Sequence, residues 1–187
     1  LLNKILGIEK LELKDEKIFE ARLNEVESVL RFDAEHYQPK YRQVKEFIGK
    51  SGYEVEKLSE VVEISNKKIE PSSQPTQLFN TPSRARMLVK KGDILVSSLL
   101  GSLDNIGLVP EELDSAVAST GFFVIRSKTF LPEFLFLLFK STLMRLQLEE
   151  KSAGAIMSAV PKMTFGDLLI PLIPLEIQTQ ISNLVKQ

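Results

Sequence analysis

The single histidine, His36, stands beside Asp33 and Glu35, and this trio is the first place where residue types and spacing could do chemistry. A metal site needs several convergent ligands and no second histidine is available, so a packed or surface histidine is the better reading. A Ser-His-Asp arrangement could be built only around His36, and no Gly-x-Ser-x-Gly elbow accompanies it. The lack of cysteine excludes disulfides, thiolate zinc sites and cysteine nucleophiles. There is no glycine-rich dinucleotide loop and no lysine-tipped phosphate loop; Gly101 to Gly107 lacks the Lys-Ser/Thr end of the latter. Nor does an Asn or Asp precede two prolines and an aromatic, as in adenine-type methyltransferases. The expectation is a chain with no catalytic residues, no metal and no cofactor.

Charge placement is more informative than the total. The formal net charge of −1 argues against a surface basic all round, but Arg84, Arg86, Lys90 and Lys91 follow one another with no acid until Asp93. The segment 9–27, by contrast, is rich in glutamate. A protein that touches a polyanion with one face needs only that local asymmetry. At 187 residues and 43% hydrophobic, the chain can bury one substantial core. No apolar run approaches the roughly 18–20 residues of a membrane span, and Lys4 and Glu9 interrupt the first apolar stretch, so neither a span nor a signal peptide is expected. A cytoplasmic location is the corresponding expectation.

The elements that must position these residues follow from periodicity. Leu1, Leu2, Ile5 and Leu6 read as the end of a helix stopped by Gly7, and residues 17–23 alternate like a half-buried strand. After Pro39, Tyr41, Val44, Phe47 and Ile48 predict a short amphipathic helix ended by Gly49. Residues 65–82, rich in Pro, Ser, Asn and Gln, predict a long loop. Gly92-Asp93 turns into a buried strand at Ile94-Leu95-Val96-Ser97, and Phe122-Phe123-Val124-Ile125 is another. Between them, 99–108 is a turn-rich connection. Pro132 opens what reads as the longest helix, through Leu148, and 151–162 is again a loop. A last helix starts at Pro174 and carries Ile177, Ile181, Leu184 and Val185 on one face. Strands and helices in no regular alternation predict an α+β fold, a mixed β-sheet core with flanking helices.

Several separated stretches, in this order, resemble the specificity-subunit family of type I restriction-modification systems. Arg31-Phe32-Asp33-Ala34-Glu35-His36-Tyr37-Gln38-Pro39 is similar to the family's opening Arg-x-Asp-x-x-x-Tyr-x-Pro run. Lys91-Gly92-Asp93-Ile94-Leu95-Val96-Ser97 resembles its Gly-Asp-Ile-Leu-x-Ser strand. Ala118-Ser119-Thr120-Gly121-Phe122-Phe123-Val124-Ile125-Arg126 is similar to the strand that follows, and Pro132-Glu133-Phe134-Leu135 to the next helix start. Ile170-Pro171-Leu172-Ile173-Pro174-Leu175-Glu176-Ile177-Gln178-Thr179-Gln180-Ile181 resembles the closing Ile-Pro-Leu-Pro-x-x-x-x-Gln-x-x-Ile motif, with Ile173 where proline often stands. The passage from Gln77 to Pro82 is shorter than the resemblance implies, as though residues were absent near Asn80 and Thr81.

The resemblance implies a target recognition domain at 31–173, preceded by a helix or linker segment at 1–30 and followed at 174–187 by the start of a spacer helix. Such a domain reads half of a two-part double-stranded DNA target. Its implied partners are an adenine-N6 methyltransferase subunit, a restriction subunit and a second recognition domain, in phage defence. Phosphate contacts would set register while side chains at base edges specify. On that basis Arg84, Arg86, Lys90, Lys91 and Lys151 are expected at phosphates, and Ser98, Ser102, Asn105, Ser152 and Lys162 at bases. Ile177, Ile181, Leu184 and Val185 are expected at a subunit interface, as the root of the spacer. Two alternatives remain open: the same domain fused behind a methyltransferase-nuclease, and a protein interaction module that never meets DNA. The second would be favoured if 84–91 and 151–162 lay on opposite faces.

Overall fold

The computed structural model describes residues 13, 20–29, 34–65, 68, 85–99, 102–152 and 159–185. Helix α1 (Leu23–Val29) begins where alternation predicted a strand. Its start is fixed locally, because the Glu25 carboxylate reaches back 3.3 Å to accept from the Arg22 amide, the reciprocal half of a capping box. Residues 17–19 of that expected strand, and the expected helix at 1–8, lie outside the described residues. A single 3₁₀ turn (Ala34–Tyr37) leads into α2 (Pro39–Gly49), where Tyr41, Val44 and Ile48 are buried as their spacing predicts.

Next come β1 (Val55–Lys57), the one-turn α3 (Leu58–Val61) and β2 (Val62–Ser65). Of the expected long loop, Lys68 is described and forms an antiparallel bridge with Met87. Strands β3 (Ala85–Leu88), β4 (Ile94–Ser97), β5 (Ile106–Leu108), β6 (Val117–Ser119) and β7 (Phe122–Ser127) follow. The chain then enters α4 (Pro132–Phe139), α5 (Thr142–Ser152), α6 (Lys162–Phe165), β8 (Leu169–Pro171) and α7 (Leu175–Val185). The helix expected from Pro132 to Leu148 is therefore two. Ser141 divides them: its hydroxyl donates to the Leu138 carbonyl at 2.6 Å and accepts from the Met144 amide at 3.4 Å, capping α5.

The fold is α+β. Its main sheet has the order β2-β7-β4-β5, and β1-β8 and β3-β6 form two-stranded ribbons. Every described pairing is antiparallel, which corrects the mixed sheet expected, since β4 and β5 form a hairpin and β7 returns beside β4. Side chains alternate across this sheet. Ile94, Val96, Phe123 and Ile125 point into the main core with α4, whereas Val124 and half-buried Leu95 join Met87, Val89 and Val109 beneath the β3-β6 ribbon. The sheet is covered on both faces, so its strands read as continuous apolar runs. Phe165 of α6 stacks on Phe123 at 3.9 Å between ring centroids, which docks the one-turn helix to the sheet.

Two helical glutamines hold backbone that no strand pairs. Gln147 of α5 accepts from the Leu169 amide at 2.8 Å and donates to the Leu169 carbonyl at 3.0 Å. Gln178 of α7 accepts from the Leu131 amide and donates to the Ile173 carbonyl, both at 2.8 Å. Ile181 is fully buried and Ile177 packs against the same core, so these two side chains face their own domain, not a partner subunit. Gln178 and Ser182 are buried with them. The side chains of Leu184 and Val185 lie outside the described part. No helix among the described residues is long and apolar enough to cross a membrane.

Candidate nucleic-acid interface

One end of the main sheet gathers polar side chains from every strand. Ser65 closes β2, Ser98 follows β4, Asn105 precedes β5 and Thr120 precedes β7; antiparallel order puts all four at the same edge. The 159–162 segment is tied to that edge, because the Val160 amide donates to the Ser98 carbonyl at 2.8 Å and Leu99 pairs with Ala159. Together with Lys68, these elements enclose a cleft of about 500 Å³. Ser65, Ser98 and Thr120 supply hydroxyls, Lys68 and Lys162 supply exposed ammonium groups, and Met87, Phe122 and Val160 supply apolar wall. Ammonium donors and hydroxyls against an apolar wall can grip a flat polar edge and its neighbouring negative charge.

The expected contact residues do not form one surface. Ser98 and Lys162 line the cleft, and Asn105 is exposed at the same edge. Ser102 is there too, but its hydroxyl is held 2.7 Å from that of Ser97 and 3.3 Å from the Leu99 carbonyl, shaping the turn. Ser152 is a correction: it is buried in the last turn of α5, donating to the Glu149 carbonyl at 2.9 Å, and cannot meet a base as placed. Lys151, also in α5 and not in a loop, is half-buried near Asp167. Arg84 lies outside the described residues, and Arg86 is half-buried in β3. Lys90 and Lys91 occupy the turn before β4, the opposite end of the strand from Ser98. Lys91 pairs with Glu111 at 2.6 Å, and its amide donates to Asp114 at 2.8 Å. That carboxylate hydrogen bond, with Glu112 and Asp114 nearby, raises the Lys91 pKa and surrounds the lysine with negative charge. Among the described residues of the basic run, Lys91 is thus set among acids and not on a basic face.

Sequence reasoning missed Ser65, Lys68, Thr120 and Phe122 in the cleft. It also missed the purpose of the Gly-Asp motif. Gly92 turns at φ +82°, and Asp93, fully buried, accepts from the Lys90 amide at 2.9 Å and from Arg126 Nε and Nη2 at 2.9 and 2.8 Å. This bidentate bond raises the Arg126 pKa and locks β4 to β7 beside the turn.

A second cleft, about 280 Å³, lies between α2 and the end of α5 and contains His36, Tyr41, Lys45 and Glu150. The buried His36 ring lies 3.3 Å from the Glu150 carbonyl through Nδ1 and edge-on to Tyr37, the packing role its sequence context suggested. No group of three or more His, Asp or Glu side chains among the described residues could hold a metal. Burial, with Glu149, Glu150 and Glu35 nearby, pushes the Tyr41 phenol from 10.0 up to about 12. A raised tyrosine pKa means the folded state keeps a proton the unfolded chain loses, so this stability is complete below pH 10 and is lost as pH rises through about 12. Tyr41→Phe should therefore flatten the alkaline fall in stability by about 1–2 kcal/mol, the shift being partly screened by solvent. Urea unfolding at pH 9 and 12 checks this; equal slopes for both proteins would contradict it.

The fold is an antiparallel scaffold whose strand ends bring cations and hydroxyls to one cleft. No protein-family model matches the chain, and no curated protein matches it significantly. Among solved structures, the chain is similar to the HsdS subunit from Thermoanaerobacter tengcongensis, with 30% identity and a TM-score of 0.62, covering 72% of this chain and 41% of that one. A chain solved in work on complex assembly and conformational transition of the type I R-M system gives 29% identity and a TM-score of 0.61, with the same coverage. The resemblance carried by the motifs is thus matched in the fold: this chain is built like part of a type I specificity subunit. It spans about two-fifths of the length of these relatives.

Proposed function

We propose that this chain is a target recognition domain of a type I specificity subunit, reading one half of a two-part double-stranded DNA target. The observation that supports it is the lysine- and hydroxyl-lined cleft at the loop end of a domain with the HsdS fold and 30% identity to that subunit. Lys68 and Lys162 contact the duplex there, with Ser98 and Asn105 directed at base edges. In this reading the domain does no chemistry itself. An adenine-N6 methyltransferase subunit and a restriction subunit act on the site it selects, in the cytoplasm and against phage DNA, and a second recognition domain reads the other half. The recognition domain extends through α7, whose buried Gln178 and Ile181 make it part of the same core; Leu175, 62% exposed, starts the outer face available to a partner.

Charge reversal tests the assignment. Lys68→Glu with Lys162→Glu should weaken DNA binding, with Lys68 alone lowering the salt dependence, by about one counterion on every duplex. Lys90→Glu with Lys91→Glu, at the far end of β4, should leave both nearly unchanged. Equal effects of the two pairs in salt titrations of DNA binding would move the interface. A protein interaction module is the second reading, favoured by the separation of Lys90 and Lys91 from Lys162 and by the acids around Lys91. It requires that neither pair of reversals affect DNA binding.

A further inference from the structure

Among the cleft residues whose hydrogen-bonding sense is fixed, a donor and an acceptor held side by side point to a base-pair edge. Lys162 ends in an ammonium group, which has three donors and no acceptor. Ser98 has the opposite sense. Its hydroxyl hydrogen is committed to the Gly121 carbonyl at 2.9 Å, so toward the cleft it presents oxygen lone pairs. The two lie on strands of chain that are stitched together by the Val160 amide on the Ser98 carbonyl and by the Leu99 pairing with Ala159. A cleft holding both a charged donor and an oriented acceptor suits a ligand with acceptors and a donor on one edge. A phosphate offers oxygens only and would set one against the Ser98 oxygen.

In the major groove A·T and G·C pairs both show acceptors and an amino donor, but only G·C sets two adjacent acceptors, N7 and O6 of guanine, beside the N4 amino donor of cytosine, and lysine or arginine on guanine is the commonest specific contact. We infer that the cleft reads a G·C pair, with Lys162 donating to the guanine N7/O6 edge and Ser98 Oγ accepting from the cytosine amine. This rests on the DNA-reading function proposed above and names the specificity of its cleft. Met87 and Phe122 line the same cleft as apolar surface against which a neighbouring base edge can pack.

The test selects duplexes from a randomised pool with the full chain and then places 7-deazaguanine, which lacks the N7 acceptor, at each guanine of the selected sequence. One position should cost the wild type about tenfold in affinity, within the range of a specific base contact. Lys162→Ala should lose a similar factor on the natural duplex and be indifferent to 7-deazaguanine at that position. Lys162 is exposed, so the variant should fold, and an unchanged melting temperature verifies it. Ser98→Ala should narrow the preference for G·C over A·T at that position. Selection of no sequence would overturn both the proposed function and this inference. Selection of a sequence on which Lys162→Ala weakens every duplex alike, with a shallower salt dependence, would place Lys162 on a phosphate and overturn this inference alone. So would a selected sequence in which the lysine-dependent position is A·T.

Discussion

Asp93→Ala should destabilise the domain by about 3 kcal/mol or more, a large part of the 5–15 kcal/mol typical of a folded protein. Asp93 is fully buried and accepts three hydrogen bonds, two from the guanidinium of Arg126 and one from the Lys90 amide. Removing the carboxylate strands the Lys90 N–H and leaves the Arg126 guanidinium, 34% exposed, with only Glu63 at 3.9 Å, and breaking such a pair costs more than the pair is worth when compared with an apolar replacement. Pairing Asp93→Leu with Arg126→Leu should therefore cost less than the sum of the single changes. Urea unfolding of the four proteins measures the coupling; strict additivity would show that the bidentate pair does not act as a unit.

Removing residues 179–187 should be nearly as damaging, by about 3 kcal/mol. The segment takes with it Ile181, which has no exposed surface, and a large-to-small change at such a site alone costs about 2–5 kcal/mol. The remaining stub no longer holds Gln178 against the partly buried Leu131 amide before α4 and the buried Ile173 carbonyl before α7. For a domain of this size the melting temperature should fall by roughly 10 °C. An unchanged melting temperature with loss of partner binding would instead make α7 a detached spacer, the role the sequence suggested for it.

What was legible in the sequence was whatever periodicity and turn chemistry dictate locally. Tyr41, Val44 and Ile48 gave α2, Gly92-Asp93 gave the start of β4, and Pro132 gave the start of α4. The break at Ser141 was hidden because Leu143, Met144, Leu146 and Leu148 continue the apolar composition past it, and only a hydroxyl bonded to the Leu138 carbonyl ends the first helix. Gln147 and Gln178 are buried because their amide groups complete backbone hydrogen bonding, which has no signature in hydropathy.

The candidate site was less legible for the same reason. Lys90 and Lys91 adjoin Arg86 in sequence, but β3 carries the turn away from the cleft, and the acids that neutralise Lys91 lie about twenty residues on, at Glu111 and Asp114. Lys68 comes from an aperiodic segment and reaches the cleft through a bridge to Met87 that nothing local predicts. Ser98 and Lys162 were found because they lie in or beside segments that read as loops, and the structure places both in one cleft.

The most direct measurement is the affinity of the chain for a duplex selected from a randomised pool, set against a scrambled duplex of the same length and composition at physiological salt. A domain that reads sequence through this cleft should prefer the selected duplex by about a thousandfold, and Lys162→Ala should reduce that ratio more than it reduces binding to the scrambled duplex. A ratio near one, with both affinities falling alike as salt rises, would contradict sequence recognition by this chain.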